Sequence, residues 1–492
     1  MKKTLLSLAL CLLSVFGASA QGTVLSIEGG KVQGVATDIK GVTVYRGIPY
    51  AAPPLGQLRW KAPQPVVPWN GTRLCDKFEH PSYQSVHLPG GYATEWGYGE
   101  ESPYSEDCLY LNVWTTAPGQ KAKKLPVALW IHGGGYREGW GSEPEFDGQE
   151  WANKGVVLVS INYRLGVFGF LTHPELAAES PNHVSGNYGI LDQIESLKWI
   201  KKNIEQFGGD PNNVTIFGQS AGGGSVRTLC ESPLARGLFH KAVIMSAGGI
   251  STASNNPTPA QFRGMTIEQA AEANKKILDW AGINSLEKMR QASTETLHTV
   301  GGIYSSVTGD RQARMNLSPM VDGYVSLKSF DDAANSGTLA DVPYMIGYTL
   351  NDMGDMSEGI AAFCRNREEK GHYPAWAYEF ARPLPDDGSH PEVTQRLRGA
   401  FHSSDLWFVF KSLKHCWRPW VKGDWDLSEK MLTAWTNFAK YSNPNGKGTE
   451  VWKPITKNQS NFMVFKLNDK DAEASELTAP IKAAGGGFGF GR

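Results

Sequence analysis

The sequence has almost no net charge and no apolar segment long enough to span a membrane. Its 492 residues include 48 Lys and Arg against 49 Asp and Glu, for a formal net charge of -1. This balance gives no electrostatic attraction to nucleic acid or to an anionic membrane surface. The apolar run at residues 5–16 is too short for a transmembrane helix. We therefore expect neither a nucleic-acid partner nor a stable membrane anchor.

Cysteine is also scarce, with six in the chain and none in a C-x-x-C pair. His415 and Cys416 are neighbours, but adjacent residues rarely ligate one metal ion. We therefore expect no metal site. Five cysteines follow the first twenty residues, and an odd number leaves at least one thiol without an intramolecular partner. These five are Cys75, Cys108, Cys230, Cys364 and Cys416.

The first twenty residues have the pattern of a signal peptide. Lys2 and Lys3 precede the apolar run, and the small residues at 18–20 form a cleavage site. We expect the mature chain to begin at Gln21 and the protein to be secreted or periplasmic. Residues 21–492 are then predicted to form a single catalytic domain.

Apolar runs bounded by turn residues alternate with helical patterns through the middle of the chain. Strands covered on both faces lose polar alternation, and such runs occur at 126–131, 155–161, 214–217, 242–245 and 342–346. Between 186 and 209, apolar residues recur every three or four positions, which predicts a helix. This alternation favours an α/β fold with a mainly parallel central sheet and helices on both faces.

Residues 254–340 interrupt the alternation. Apolar periodicity predicts an amphipathic helix over 265–281 and another over 285–298, with no strand between them. We expect a helical insertion that lies over the sheet. Residues 485–492 are rich in glycine, and we expect them to form a flexible tail.

Residues 218–222 read Gly-Gln-Ser-Ala-Gly, the only G-x-S-x-G in the sequence. A predicted strand precedes this pentapeptide, and small residues that suit a helix follow the serine. The pattern predicts a nucleophile elbow, where small neighbours let a tight turn expose the hydroxyl of Ser220. Taken alone, it could also be a glycine-rich surface turn, since the chain has 55 glycines.

A second motif, His-Gly-Gly-Gly-Tyr at 132–136, directly follows the first predicted strand. Acyl transfer places negative charge on the former carbonyl oxygen, and backbone N–H groups reach that oxygen only where no side chain blocks them. Three consecutive glycines meet this need. Both motifs at strand ends would seldom coincide by chance, so together they predict a hydrolase with a serine nucleophile.

These motifs, with others in the same order, resemble the type B carboxylesterases of the α/β-hydrolase superfamily. The resemblance runs nearly end to end and implies an α/β-hydrolase fold. The matching stretches are YRGIPYAAPP from Tyr45, EDCLYLNVW from Glu106, HGGGY, NYRLGVFGFL from Asn162, FGQSAGG, GAFHSSDLWFVF from Gly399 and WTNFAKYSNPN from Trp435.

The resemblance implies a catalytic triad in which Ser220 is the nucleophile and His402 the base. Asp352 stands in the loop where the family usually has glutamate, and an aspartate can orient an imidazole equally well. Asp355 and Glu358 remain alternatives for the acid, while His372, His390 and His415 lie in no matching motif. The oxyanion hole would comprise the backbone N–H groups of Gly134, Gly135 and Ala221.

Two structural contacts are also implied by the resemblance. Arg46 and Glu106 match an ion pair that braces the site from behind. Cys75 and Cys108 are the expected disulfide, although the family usually places the first cysteine near the position of Ser82. Gln219 stands where cholinesterase-like relatives have glutamate, which weakens the case for a choline ester.

The sequence therefore predicts an exported serine carboxylesterase that acts through an acyl-enzyme and needs no cofactor. Aromatic residues near the motifs agree with a pocket for feruloyl or acetyl esters of plant polysaccharide, although most such residues pack in cores. The alternatives are an inactive binding or adhesion member of the family and a peptidase on the same fold. The sequence leaves the oligomeric state and the physiological ester open.

Overall fold

The computed structural model describes residues 21–98, 103–252, 266–310, 315–446 and 451–467. The predicted signal peptide and C-terminal tail lie outside these ranges, as do two parts of the predicted insertion, 254–265 and 311–314. In the described ranges, no helix is long and apolar enough to cross a membrane.

A twelve-stranded sheet runs through the described chain in the order β1-β2-β3-β5-β7-β6-β8-β9-β10-β11-β12, with β4 beside β2. From β7 to β12 all neighbours are parallel, which confirms the mainly parallel sheet. The N-terminal strands add an antiparallel part that the sequence analysis did not predict. The strands are β1 Gln21–Ile27, β2 Gly30–Ala36, β3 Thr43–Pro49, β4 Thr72–Leu74, β5 Tyr110–Thr115, β6 Leu125–Ile131, β7 Val157–Ile161, β8 Gly209–Gln219, β9 Lys241–Met245, β10 Tyr344–Thr349, β11 Ala375–Phe380 and β12 Met463–Phe465.

Helices cover both faces of this sheet. Successive side chains of a strand point to opposite faces, and in β6 Leu129 joins one buried apolar cluster while Trp130 joins another. The first cluster includes α5 and α6, and the second includes α2, α13 and α14. The helices are α1 Gly91–Glu95, α2 Gln149–Asn153, α3 Gly166–Phe170, α4 Pro174–Glu179, α5 Tyr188–Asn203, α6 Ala221–Glu231, α7 Ile267–Trp280, α8 Leu286–Gln291, α9 Thr294–Thr308, α10 Phe330–Asn335, α11 Ser357–Glu369, α12 Pro391–Thr394, α13 Leu406–Val409 and α14 Lys422–Tyr441.

The described part of the predicted insertion is helical, but its second helix is divided in two. Helix α7 matches the prediction for 265–281. The predicted helix at 285–298 is replaced by α8 and α9, because Ala292 is extended and Ser293 caps α9 by accepting the N–H of Thr296. These helices share a buried apolar cluster with α3 and α4, so this part packs on helices next to the sheet.

The expected disulfide between Cys75 and Cys108 was wrong. All five described cysteines are free thiols. Backbone hydrogen bonds with Gln33 and Arg46 hold Cys75 beside β2 and β3. Cys108 instead lies against the hydroxyl of Ser82, the position where the family usually has the cysteine.

The expected ion pair between Arg46 and Glu106 was also wrong, because Glu106 pairs with a different arginine. Arg59 donates to both oxygens of Glu106 at 2.8 and 2.6 Å, and both side chains are buried. A bidentate pair of this kind is stronger than a single hydrogen bond, and the Thr294 hydroxyl donates to the same carboxylate at 2.7 Å. Arg46 instead lies over the ring of Phe78 and donates to the carbonyl of Asp76 at 3.1 Å.

Candidate active site

Ser220 occupies a strained turn between β8 and α6. Its backbone has φ 57° and ψ -123°, a conformation that a residue with a side chain seldom adopts. Two hydrogen bonds hold the turn: Ser220 N–H donates to the carbonyl of Met245, and Gly224 N–H donates to the carbonyl of Ser220, both at 2.9 Å. The strand, turn and helix therefore form the nucleophile elbow that the pentapeptide predicts.

The two outer glycines of the pentapeptide are required by close backbone packing. A Cβ atom on Gly222 would lie 2.0 Å from the carbonyl oxygen of Ile131, at the end of β6. A Cβ atom on Gly218 would lie 2.5 Å from the backbone of Gly222. A side chain at either position would push α6 away from the strand ends, so α6 begins directly against β6 only because these positions lack side chains.

The same packing brings the glycine-rich turn beside the nucleophile. Strands β6 and β8 are parallel neighbours, and Ile131 lies opposite Gly218. The turn at 132–135 therefore follows β6 at the level where Ser220 follows β8. Gly134 and Gly135 have φ of 94° and 63°, while the N–H of Ala221 is at the N-terminus of α6, where helical N–H groups have no partner in the helix. The three predicted oxyanion residues therefore lie at the same edge of the sheet.

His132 holds the turn from inside. Its ring is buried and stacks on Tyr163 with ring centroids 4.5 Å apart. Burial lowers its pKa to about 4, so the ring is neutral at physiological pH. Its Nδ1 lies 2.9 Å from the carbonyl oxygen of Gly133, which fixes Nδ1 as the protonated donor. This contact fixes the direction of the first peptide after the strand.

His402 and Asp352 meet although they are 50 residues apart in the chain. Nδ1 of His402 lies 2.6 Å from Oδ1 of Asp352. Their loops are joined by backbone, because the N–H of Asn351 donates to the carbonyl of Ala400 at 2.9 Å. The Asp352 carboxylate has no exposed surface and accepts further hydrogen bonds from Thr349 and Met353.

The alternatives for the acid and the base lie elsewhere. Asp355 and Glu358 are exposed, whereas Asp352 contacts the imidazole directly. The three other histidines face carboxylates away from Ser220: His372 with Asp341, His390 with Glu392 and His415 with Asp147. The structure therefore groups Asp352 with His402.

Electrostatics in this pair favour an oriented histidine. Burial alone lowers the pKa of His402. The charge of Asp352 and its hydrogen bond raise that pKa by more than burial lowers it, so the net shift is upward. Burial likewise raises the pKa of Asp352, yet the imidazole beside it and the hydrogen bonds it accepts bring that pKa below its ordinary value. Asp352 is therefore ionised. In the neutral form of His402, Nδ1 carries the proton and Nε2 carries the lone pair.

Two aromatic residues, Tyr92 and Trp96, form a wall next to the backbone of His402. Tyr92 on α1 donates its hydroxyl to the carbonyl of His402 at 2.8 Å, and its ring stacks on Trp96. A buried ion pair fixes α1, because Arg418 donates to both oxygens of Glu95. No local sequence signal indicates this wall, because Tyr92 and His402 are separated by 310 residues, and Glu95 and Arg418 by 323.

Two contacts next to the predicted triad were not predicted, one made by Asp405 and the other by Gln219. Asp405 follows His402 by three residues and is fully buried; the Tyr378 hydroxyl donates to its Oδ2 at 3.0 Å. Burial raises the pKa of Asp405 to about 7. Gln219 precedes Ser220, and its amide nitrogen lies 3.2 Å from Nε2 of His402. Proximity in sequence to His402 and Ser220 was the available signal for both.

No three His, Cys, Asp or Glu side chains converge as a metal site within the part of the chain that the structure describes.

Comparisons with known proteins agree with this geometry. The model of the carboxylesterase family matches residues 21–362 and 355–481. A fumonisin B1 esterase from Sphingopyxis macrogoltabida is 38% identical over 89% of this chain and 85% of its own length. A para-nitrobenzyl esterase from Bacillus subtilis is 33% identical over 93% and 99%. The solved structure of a thermophilic PNB esterase superimposes with a TM-score of 0.75 at 29% identity, over 92% of this chain and 99% of that one, which confirms the α/β-hydrolase fold.

We predict that Asp352→Asn slows the labelling of Ser220 by a fluorophosphonate probe about 10³- to 10⁴-fold, because the amide leaves the imidazole in the wrong tautomer. The rate is measured from the time course of label incorporation. The matched control is Asp355→Asn, which changes an exposed carboxylate in the same loop and should label at the unaltered rate. A large loss in the control and none in Asp352→Asn would reverse the assignment of the acid.

Proposed function

Because the chain belongs to the carboxylesterase family and is a carboxylic ester hydrolase, we propose that it acts through an acyl-enzyme formed on Ser220. One observation carries this proposal: His402, paired with Asp352, lies 3.2 Å from the side chain of Gln219 at the end of β8, and Ser220 follows on a strained turn next to the glycines of the oxyanion turn.

In the proposed first step, the Ser220 oxygen attacks the ester carbonyl while Nε2 of His402 takes the hydroxyl proton. The N–H groups of Gly134, Gly135 and Ala221 donate to the oxygen that becomes negative. His402 then gives the proton to the alcohol oxygen, and the bond between that oxygen and the acyl carbon breaks. The products are an alcohol and an acyl-serine.

In the second step, His402 removes a proton from water, whose oxygen attacks the acyl carbon. The proton returns to the Ser220 oxygen as the acyl bond breaks, which releases a carboxylic acid and regenerates the serine. Asp352 remains ionised throughout and stabilises the imidazolium that forms in each step.

We propose bulky or aromatic esters as substrates, including feruloyl and acetyl esters of plant polysaccharide. Tyr92 supports an aromatic partner, because its side chain is only half-buried and its hydroxyl bonds the backbone carbonyl of His402. Trp96, Trp407 and Phe408, in contrast, are buried in the core and carry no such argument. Two relatives are named for esters of fumonisin B1 and of para-nitrobenzyl alcohol. Initial rates on feruloyl, acetyl-sugar, para-nitrobenzyl and fumonisin B1 esters would rank these classes, and a preference for short aliphatic esters over all four would contradict the proposal.

We also propose that the protein is exported and secreted or periplasmic. Lys2 and Lys3, the apolar run after them and the small residues at 18–20 support export. Terminal sequencing of protein recovered from outside the cytoplasm should begin at Gln21. Recovery only from the cytoplasm with residues 1–20 intact would contradict this.

We predict that Ser220→Ala lowers kcat for p-nitrophenyl acetate by about 10⁶-fold, because serine, histidine and aspartate act as one unit. Ser232→Ala, at the other end of α6, is the matched control and should keep its activity. An active Ser220→Ala variant would exclude the acyl-enzyme, whereas an unaltered protein that binds an ester without turnover would indicate a binding member of the family. Faster cleavage of peptides than of esters would indicate a peptidase.

We predict that kcat/KM falls as the pH drops through a midpoint above 6.5, the ordinary pKa of histidine. The base must be neutral to accept the serine proton, and the interaction with Asp352 raises the pKa of His402, so protonation removes the base at a higher pH than usual. The measurement is a profile of kcat/KM against pH with p-nitrophenyl butyrate. A profile that stays flat down to about pH 4 would exclude His402 as the base.

A further inference from the structure

The side chain of Gln219 contacts the catalytic histidine at the atom that the serine should use. Its amide nitrogen lies 3.2 Å from Nε2 of His402. Gln219 is the last residue of β8 and is 3% exposed. Its amide oxygen lies 3.2 Å from where a Cβ atom on Gly133 would stand. The side chain therefore fills the space between the oxyanion turn and the imidazole.

The contact that Nδ1 makes determines which group donates in the hydrogen bond between Gln219 and Nε2. Nδ1 of His402 faces the carboxylate of Asp352 and carries the proton, so Nε2 of the neutral ring can only accept. The amide of Gln219 must then donate its N–H to Nε2. The Ser220 hydroxyl forms no hydrogen bond with any residue that the structure describes.

We propose that Gln219 is a positioning residue that donates to Nε2 of His402 in the resting enzyme and yields this place to the Ser220 hydroxyl when an ester binds. The role rests on the proposed acyl-enzyme function. It differs from a packing role because it depends on the amide as a donor and not on its volume.

The neutral amide suits the resting state, because its N–H can donate to the lone pair on Nε2. A carboxylate at this position could only accept, so it would favour the protonated ring in the resting state and keep it from acting as a base. A neutral amide therefore keeps the base available at neutral pH.

Three other groups interact with His402. Asp352 lies on Nδ1, the buried Asp405 interacts electrostatically with the ring, and the Tyr92 hydroxyl donates to the backbone carbonyl. Asp352 and Asp405 raise the pKa of His402. A hydrogen bond from Gln219 to the neutral ring acts in the opposite direction, because it stabilises the uncharged form.

The test compares profiles of kcat/KM against pH for Gln219→Glu, Gln219→Met and the unaltered protein with p-nitrophenyl butyrate. Gln219→Glu should move the acidic limb, the part of the profile where kcat/KM falls as the pH drops, to higher pH by about 1–3 units. A negative charge within 4–6 Å raises the pKa of the imidazole by about that amount. Gln219→Met has a similar volume but no donor, and its acidic limb should move in the same direction by less than one unit. Both variants should recover most activity at high pH.

Gln193→Met is the matched control, because Gln193 is another buried glutamine and its amide donates to the Ser225 hydroxyl at 2.9 Å, away from the triad. Its acidic limb should stay in place even if its stability falls. An unmoved limb in both Gln219 variants would overturn the proposal. If Gln219→Glu does not fold, the limb of Gln219→Met decides alone.

The two proposals fail in different ways. An active Ser220→Ala variant would remove the acyl-enzyme function and the role of Gln219 with it. An inactive Ser220→Ala variant together with unmoved limbs in the Gln219 variants would remove only the role of Gln219.

Discussion

The site depends on one close approach between two backbones, where helix α6 begins against the end of β6. The Cα of Gly222 stands so near the carbonyl of Ile131 that a Cβ atom would lie 2.0 Å from it. This contact aligns the ends of two parallel strands, one followed by the serine and the other by three glycines. The backbone N–H groups and the hydroxyl are thus brought together by sheet register. The base and its acid, His402 and Asp352, are then added by loops from elsewhere in the chain.

The parts of the site that the sequence predicted are those with a local cause. A strand followed by small residues specifies the turn at Ser220, and three glycines after a strand specify a backbone open to an oxyanion. His402 and Asp352 were assigned through the resemblance, and the structure brings them within 2.6 Å. The parallel strands were predicted because burial on both faces removes polar alternation, while the antiparallel N-terminal strands gave no comparable run.

The predictions that were wrong concern partners chosen by tertiary packing. Glu106 could in principle pair with any nearby arginine, and Arg59 binds it because carbonyls at the C-terminal end of α8 also accept from that guanidinium. Those carbonyls are about 230 residues away in the chain, so nothing in the sequence near Glu106 distinguishes Arg59 from Arg46. The contact between Gln219 and His402 has the same origin, since it spans 183 residues.

The ion pair between Glu95 and Arg418 has a consequence for the nascent protein. Ribosomes make the chain from its N-terminus, so α1 emerges 323 residues before the guanidinium that fixes it. Until then Glu95 lacks its counter-charge. Ser220 likewise leaves the ribosome before either of its proposed partners. A chain interrupted before position 402 therefore lacks the proposed base, and one interrupted between 402 and 418 lacks the arginine that pairs with Glu95 on α1.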